Sequence, residues 1–241
     1  MQINRFLIIG NGRMAKHFLK YCQYLNIETD HWYRPKSSDQ LNTQANLSSH
    51  IFILIKDGDI EGFILKHKLN QLNKILIHFS GSLTTDLANS AHPLMTFGPE
   101  VYDRLTYEKI LFVCEKHKVP FEKILPGFKN PHAYIEGKDK AYYHCLGSLA
   151  NNFTTILWQT YFTELKDKFG INPEDVFPIL EQTLINLKKD YKNALTGPLI
   201  RNDTKTIDKH LKTLKGHPLE DIYNGFVKLF AFNQDSKNES N

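Results

Sequence analysis

The sequence predicts an α/β fold, with an N-terminal sheet of parallel strands followed by a domain made only of helices. Two observations lead to this prediction. Short, continuous apolar runs alternate with helical patterns through the first half of the chain, as in parallel strands that are buried on both faces. After Gly137 only helical periodicity continues. We therefore predict two domains, residues 1–136 and residues 137–241.

Each element is predicted from the pattern of its own segment. Strands are expected at 5–10, 28–33, 50–56, 74–79, 94–97, 109–114 and 132–136. Helices are expected where apolar residues recur every three or four positions, at 12–25, 59–69 and 121–127, and in the second domain at 138–168, 173–191, 204–215 and 219–232.

The predicted helix 138–168 has an unusual composition. Between residues 141 and 163 it contains no Asp, Glu, Lys or Arg. A helix without charges is typically buried on most sides, so we expect its apolar stripe to face the core. That stripe comprises Leu146, Leu149, Ala150, Phe153 and Leu157. Polar residues such as His144 and Gln159 interrupt the segment, which argues against a membrane span.

Composition excludes several classes of protein. The chain has 241 residues, 41% hydrophobic and 23% charged, with a net charge of +4 and no basic block, so we expect no nucleic-acid partner. The three cysteines form no C-x-x-C pair, and the eleven histidines show no zinc-ligand spacing, so we expect no metal. No apolar run approaches the ~18 residues of a membrane span, and no signal peptide is evident, so we expect a cytoplasmic protein without membrane contact.

A glycine-rich stretch carries the strongest functional signal. Gly10-Asn11-Gly12-Arg13-Met14-Ala15 follows the first predicted strand and begins the first predicted helix. In that context a G-x-G-x-x-A pattern is typical of Rossmann-type domains that bind a dinucleotide. Gly10 permits the tight turn, Gly12 lets the backbone approach a pyrophosphate, and the helix N-terminus supplies N–H groups. We expect Gly10, Asn11, Gly12, Arg13 and Met14 to bind the cofactor; the alternative is a turn that binds nothing.

The end of the second predicted strand favours NADP(H) over NAD(H). An NAD site usually places an acidic residue there to bind the ribose 2′-OH, but Asp30 is expected inside the strand, too early to reach it. Arg34 and Lys36 could instead pair with a 2′-phosphate, with hydroxyl groups added by Ser37 and Ser38. Alternatively, Arg34 and Lys36 are solvated loop charges.

Several blocks of the sequence resemble a known family. They are residues 10–15, 53–60, 78–83, 92–98 and 194–198, together with Tyr143, His144, Asn151, Asn152 and Arg201-Asn202-Asp203. Taken in chain order, they resemble a bacterial oxidoreductase family with a Rossmann domain and a helical domain similar to that of 6-phosphogluconate dehydrogenase. One branch consists of alternative ketopantoate reductases, and pyrroline-5-carboxylate reductase is a more distant relative.

The resemblance implies an NAD(P)H-dependent reductase with its active site in a cleft between the domains. It also implies that Thr196 and Arg201 approach the substrate, with Arg201 binding a carboxylate. The alternative for that segment is a turn in which Asp203 caps the next helix. Larger relatives carry a Lys-x-x-x-Asn pair on the interdomain helix, whereas this chain has Ser148 and Asn152 at the matching positions. The identity of the proton donor is therefore open.

The charge-free helix offers polar groups for such a cleft. His144, Ser148 and Asn152 follow one another at intervals of four residues, and Asn151 belongs to the same stripe. We predict His144, Ser148 and Asn152 as catalytic residues, with His144 as the first choice of proton donor because an imidazole titrates near neutral pH. The alternatives are a stripe that faces solvent and a histidine with a structural role.

The ends of the later strands supply further candidates. Ser80 and Gly81 follow a predicted strand, at the edge of the sheet where ligands collect, and are expected to bind the cofactor. Ser82, His92, Asn151, Thr196 and Arg201 are the predicted substrate-binding residues. Structural roles for His78 and His92 are the competing interpretations.

Two classes of function follow. The first is NADPH-dependent reduction of a small 2-oxo acid, specifically 2-dehydropantoate (ketopantoate) to pantoate in coenzyme A biosynthesis, with another small carbonyl or imine reductase as the alternative. The second is a non-catalytic NADP-binding or redox-sensing protein, which the missing helix lysine motivates. Helical second domains in this resemblance group often mediate dimers, so a homodimer is a further expectation.

Overall fold

The computed structural model describes residues 4–34 and 36–238. The chain divides into two compact units, residues 1–158 and residues 159–241. The predicted domain boundary at 136/137 differs from this division and stays a prediction.

The first unit is built on a seven-stranded sheet. Its strands are β1 (Arg5–Ile9), β2 (Glu28–Trp32), β3 (His50–Ile53), β4 (Ile75–His78), β5 (Asn89–Pro93), β6 (Phe112–Glu115) and β7 (His132–Ile135). They lie in the order β2-β1-β3-β4-β5-β6-β7. All neighbouring pairs are parallel except β5 and β6, which are antiparallel. The predicted α/β class with a Rossmann-type parallel sheet is confirmed.

Helices alternate with the strands of the first unit, whereas the second unit contains helices alone among its described elements. The first unit contains α1 (Arg13–Tyr24), α2 (Ser38–Leu47), α3 (Ile60–Lys66), α4 (Arg104–Glu108), α5 (Phe121–Ile124) and α6 (Lys140–Gly147). A π-helical segment, Ser148–Phe153, joins α6 to α7 (Thr154–Phe169), which runs on into the second unit. The second unit also contains α8 (Pro173–Lys189), α9 (Thr204–Thr213) and α10 (Leu219–Asn238). The predicted helix 138–168 thus corresponds to α6, the π-helical segment and α7.

Strand β1 shows why its sequence is apolar at every position. Phe6 and Ile8 pack on one face of the sheet, in a cluster with Phe18 of α1. Leu7 and Ile9 pack on the other face. Because successive side chains of a strand point to opposite faces, a strand covered on both sides needs apolar residues throughout.

The first unit differs from the prediction at one strand and two helices. The fifth strand is Asn89–Pro93 and not 94–97; Leu94 and Met95 are exposed. The sequence of β5 is polar and gives no strand signal, because its burial comes from the strands on either side. Helices α2 and α4 were not predicted: only two of the ten residues of α2 are buried, and only one of the five residues of α4.

The charge-free stretch behaves differently from the prediction. No described residue between 141 and 234 is buried, and Leu149 and Phe153 are 48% and 53% exposed. The expectation that the stripe from Leu146 to Leu157 faces the core is therefore wrong, because the single chain leaves these side chains uncovered. Within the described ranges, no helix is both long and apolar enough to cross a membrane.

Candidate functional site

The turn after β1 can be formed only by glycine. Gly10 has a φ of +127°, and a Cβ atom there would lie 2.2 Å from the carbonyl oxygen of Leu54. The Gly10 N–H donates to the carbonyl of Trp32 over 2.9 Å. The Gly10 carbonyl accepts a bond of 2.6 Å from Nε2 of His31. This turn joins the ends of β1, β2 and β3 and directs the chain into α1.

Gly12 differs from Gly10, because no described residue of the protein requires a glycine there. It is the N-cap of α1, and a Cβ atom built on it would meet no atom within 4 Å. No side chain caps this helix, and its first turn carries no acidic residue. The first-turn amides of an uncapped helix are free to bind an anion. The space in front of Gly12 is the space that a phosphate would need. Ala15, fully buried, lets α1 pack closely on the sheet.

A cavity of about 420 Å³ lies at the end of β2. It is lined by Trp32, Arg34, Lys36, Ser38, Gly58, Asp59, Gly62, Phe63, Lys66 and His67. Burial, and then the neighbouring Lys66, lowers the pKa of His67. The lining of this cavity contains three cationic side chains, those of Arg34, Lys36 and Lys66, and one carboxylate, that of Asp59.

The predicted cofactor residues of this region have distinct settings. Asp30 is held inside β2 by Arg5, through bonds of 2.7 and 3.1 Å, and Arg34 is exposed. Lys36 donates to the carbonyl of His31 over 2.7 Å, and the Ser37 hydroxyl accepts from the Gln40 amide and caps α2. Sequence reasoning missed Lys66 and His67, which lie at the end of a short helix and match no motif.

A second cavity, of about 240 Å³, lies where β3, β4 and β5 end. Its lining includes Met14, Asp57, Phe79, Ser80 and His92. The Ser80 hydroxyl donates to the Asp57 carboxylate and accepts from the amide of Leu83 over 2.9 Å. The predicted residues Met14 and Ser80 therefore share this cavity, with Asp57 as a carboxylate that sequence reasoning did not single out.

A third cavity, of about 620 Å³, lies against α6 and the π-helical segment. It is lined by His92, Leu94, Met95, Thr96, Tyr143, His144, Leu146, Gly147, Ser148, Ala150, Asn151 and Asn152. The cavity is thus lined by all four polar residues predicted on one helix stripe: His144, Ser148, Asn151 and Asn152. The segment from Ser148 is π-helical, a geometry that is frequent at functional sites. His92 and Met95 line both this cavity and the 240 Å³ cavity, so the two adjoin.

His92 and His144 meet at Gly81. Their rings are 5.6 Å apart and nearly perpendicular. A Cβ atom on Gly81 would lie 2.3 Å from Cδ2 of His144 and 3.1 Å from Nε2 of His92. The Tyr143 hydroxyl lies 2.8 Å from Nδ1 of His92. Gly81 is therefore needed for the close approach of the two imidazoles, whereas Ser82 is exposed.

Burial and nearby positive charge lower the pKa of two histidines, His92 and His78, and so keep their imidazoles neutral at neutral pH. Burial, then His144 and Lys140, lowers the pKa of His92 to about 4. Burial, then Lys140 and His92, lowers the pKa of His78 to about 3. The Nδ1 atom of His78 accepts from the Ser80 amide over 3.2 Å. Burial also raises the pKa of Tyr143 to about 12, so its hydroxyl stays protonated.

Sequence reasoning missed the buried Lys140. It begins α6, and only 2% of it is exposed. A lysine beside Asp139 at the start of a helix looks like a surface residue, and only the folded structure reveals its burial. Its pKa is lowered by burial, an effect that Glu115 and then Asp57 oppose.

Thr196 and Arg201 belong to the second unit. Both are exposed and lie in the turn between α8 and α9. Asp203 caps α9 by accepting from the amide of Thr206 over 3.1 Å. The capping interpretation of this segment is confirmed, and the substrate roles of Thr196 and Arg201 stay predictions.

The space at Gly81 leads to a testable prediction. Gly81→Ala should displace the His144 and His92 rings, cost about 1–3 kcal/mol of unfolding free energy, and shift the imidazole NMR resonances of both residues. Gly62→Ala, in α3, is the matched control, because its Cβ would meet nothing within 4 Å. Unchanged imidazole resonances in Gly81→Ala would contradict the described packing; thermal unfolding and NMR measure both effects.

Comparisons with known proteins agree with this fold. A family model described as a domain of unknown function (DUF2520) matches residues 115–229. No curated protein matches the chain. A provisionally named NADP oxidoreductase of Bacteroides fragilis is similar, at 18% identity and a TM-score of 0.73, over 94% of this chain and 97% of that one.

Two further solved structures share the architecture over nearly their whole length. An imine reductase of Streptomyces aurantiacus has 13% identity and a TM-score of 0.65, with 97% of this chain and 95% of that one covered. A pyrroline carboxylate reductase of Plasmodium falciparum, with NADP bound, has 14% identity and a TM-score of 0.57, with 98% of both chains covered. At these identities the likeness establishes a common fold.

Proposed function

We propose that this chain is an NADPH-dependent reductase of small carbonyl or imine compounds. One observation carries the proposal. The uncapped N-terminus of α1, with open space at Gly12, lies at the same edge of the sheet as two adjoining cavities that share His92. The similar structures support it, because they are described as an NADP oxidoreductase, an imine reductase and an NADP-bound pyrroline carboxylate reductase.

The described residues fit a dinucleotide phosphate. The first-turn amides of α1, beginning at Arg13, would bind the pyrophosphate, and the cavity at the end of β2 would bind the adenosine end of the cofactor. Arg34, Lys36 and Lys66 would face the 2′-phosphate, while Asp30 is occupied by Arg5. When bound, NADPH supplies the hydride.

The chain's own residues would manage the proton and the developing negative charge. A substrate in the 620 Å³ cavity would meet His144, Ser148 and Asn152, together with the paired side chains of His92 and Tyr143. Such donors stabilise charge that develops on the reacting oxygen or nitrogen. His144 is the proposed proton donor, and the apolar side chains of Leu94, Leu146 and Ala150 would reduce the access of water.

Two classes of substrate are candidates for this site. A small 2-oxo acid, specifically ketopantoate, follows from the family resemblance, with Arg201 binding its carboxylate and with Ser82, Asn151 and Thr196 as further contacts. A cyclic or other small imine is the second candidate, favoured by the likeness to imine and pyrroline carboxylate reductases.

A substrate panel tests this proposal. Oxidation of NADPH should be followed with ketopantoate, other 2-oxo acids and cyclic imines. Turnover of ketopantoate would support the specific assignment, and turnover of imines alone would replace it. His144→Ala should lower kcat by roughly 10²–10⁴-fold with little change in NADPH affinity. Tight NADPH binding without turnover of any compound would instead favour the non-catalytic class.

The choice of nicotinamide cofactor gives a sharper prediction. Arg34→Asp should weaken NADPH binding by roughly 10–100-fold, the loss expected for a charged hydrogen bond to phosphate, and should change NADH binding less than about threefold. Arg104→Asp, at an exposed arginine that lines none of the three cavities, is the control. Equal losses for NADPH and NADH, measured by calorimetric titration, would refute the assignment of Arg34 to the 2′-phosphate.

We further propose that a second copy of this chain covers residues 141–163, the stretch without charged side chains. A stripe without charges is expected to be buried, yet no described residue from 141 to 234 is buried in the single chain. Half-exposed side chains of the size of Phe153 and Phe226 each leave roughly 100 Å² accessible. The exposed apolar surface area of α7 to α10 therefore exceeds the ~800 Å² that each partner buries in a standard interface.

Leu149→Glu tests the dimer, because this side chain is exposed on the stripe and lines no described cavity. Light scattering should give the mass of two chains for the wild type and a shift toward one chain for the variant, with a lower Tm. Leu47→Glu, at a 59% exposed leucine on α2, should leave the mass unchanged. A wild-type mass of one chain at micromolar concentration would contradict the proposal.

A further inference from the structure

Lys140 is buried where a lysine is costly. Its ammonium donates to the Ser90 hydroxyl over 2.7 Å and to the carbonyl of Leu83, and it lies 3.7 Å from Oε2 of Glu115. Only 2% of Lys140 and 7% of Glu115 are exposed. Buried ions are tolerated only when they are paired and hydrogen-bonded, as this one is. Two neutral side chains could have filled the same space, so the charge itself calls for an explanation.

The partners of Lys140 lead toward the two adjoining cavities. Ser90 belongs to β5, two residues before His92, and its hydroxyl lies 3.5 Å from the carbonyl of Ser80. Ser80 and the Asp57 that it binds line the 240 Å³ cavity. Lys140 also begins α6, the helix that carries Tyr143 and His144. It therefore links the helix on one side of the cavities to the strand ends on the other.

The charges around His92 are unbalanced. On α6, the titratable groups near it are Lys140, Tyr143 and His144, and β4 contributes His78. The carboxylates of this region are Glu115 of β6 and Asp57 of the turn after β3, which both act on Lys140; Asp57 also lines the 240 Å³ cavity with His92. Among these described groups, the two carboxylates are already engaged, Glu115 beside Lys140 and Asp57 by Ser80. A second proton on His92 would therefore find no free carboxylate among these groups.

We propose that Lys140 is a positioning residue for His92. Through its charge and its bond to Ser90, it holds His92 as the neutral tautomer whose Nδ1 accepts from Tyr143 and whose Nε2–H points toward Gly81 and the cavities. The observed distances agree, with Tyr143 at Nδ1 and the Gly81 position beside Nε2. The low pKa of His92, to which Lys140 contributes, has the same direction.

The use of this tautomer rests on the proposed function. A neutral His92 presents one N–H donor of fixed direction to a substrate oxygen or nitrogen, at the point where the two cavities meet. The state of the imidazole does not depend on that function, because it can be measured in the protein without cofactor or substrate.

Nitrogen-15 NMR of the histidine side chains tests the inference. In the wild type, His92 should remain neutral, with the proton on Nε2, down to about pH 5. Lys140→Met combined with Glu115→Gln leaves no buried charge unpaired. It should raise the titration midpoint of His92 measurably, since removing a nearby like charge favours the imidazolium; burial and His144 contribute more to the low pKa and are left in place. Lys140→Arg keeps the cation and should preserve the low midpoint.

Lys138→Met is the matched control, an exposed lysine two positions before Lys140, and should leave His92 unchanged. If Lys140 had only a structural role, its replacement would lower the free energy of unfolding without changing the titration midpoint of His92. A double variant that titrates like the wild type, or a wild-type His92 with an ordinary pKa near 6.5 or with its proton on Nδ1, would overturn the inference. If the double variant does not fold, the wild-type measurement still tests the inference, because an ordinary pKa or a proton on Nδ1 would overturn it. Failure of NADPH turnover would refute the proposed function and leave this result intact.

Discussion

The contact between Gly10 and the carbonyl of Leu54 is the constraint on which the rest of the site depends. With a φ of +127° and no room for a Cβ atom, Gly10 turns the chain against the end of β3. The N-terminus of α1 thereby lies at the carboxyl edge of the sheet. In a parallel sheet the following strands end at that same edge. Asp57, Ser80 and His92 follow or end β3, β4 and β5, and so they line one cavity.

A second link joins this edge to the helix that carries His144. Lys140 bonds to Ser90 on β5 and lies beside Glu115 on β6, so the start of α6 is tied to the sheet by buried polar groups rather than by apolar packing. Such groups have few alternative partners in an apolar interior, so they define orientation strictly. The imidazoles of His92 and His144 consequently meet over Gly81, where the protein leaves no space for a larger residue.

The sequence allowed the glycine loop, the strand β1 and the common helix stripe of His144, Ser148 and Asn152 to be predicted, because local pattern determines each of them. Asp30 inside β2 was also expected, although its bond to Arg5 was not. Helix α2 was missed because a polar run with two buried residues has almost no periodic signal. Strand β5 was misplaced because its burial depends on neighbouring strands, and the same holds for Lys140, whose partners are remote in sequence. The apolar stripe at Leu149 shows a converse case, in which the sequence indicates burial that one chain alone does not provide.

The central claim is that the open space at Gly12 receives the phosphates of a dinucleotide. The most direct measurement is the NADPH binding isotherm of Gly12→Ala beside those of the wild type and Gly225→Ala. A Cβ atom at residue 12 meets no described protein atom within 4 Å, so the variant should fold with an unchanged Tm. Its Kd for NADPH should rise at least about tenfold, equivalent to 1.4 kcal/mol. Gly225→Ala, at a position that is equally open and lines none of the three cavities, should bind NADPH like the wild type. An unchanged Kd in Gly12→Ala would contradict the account.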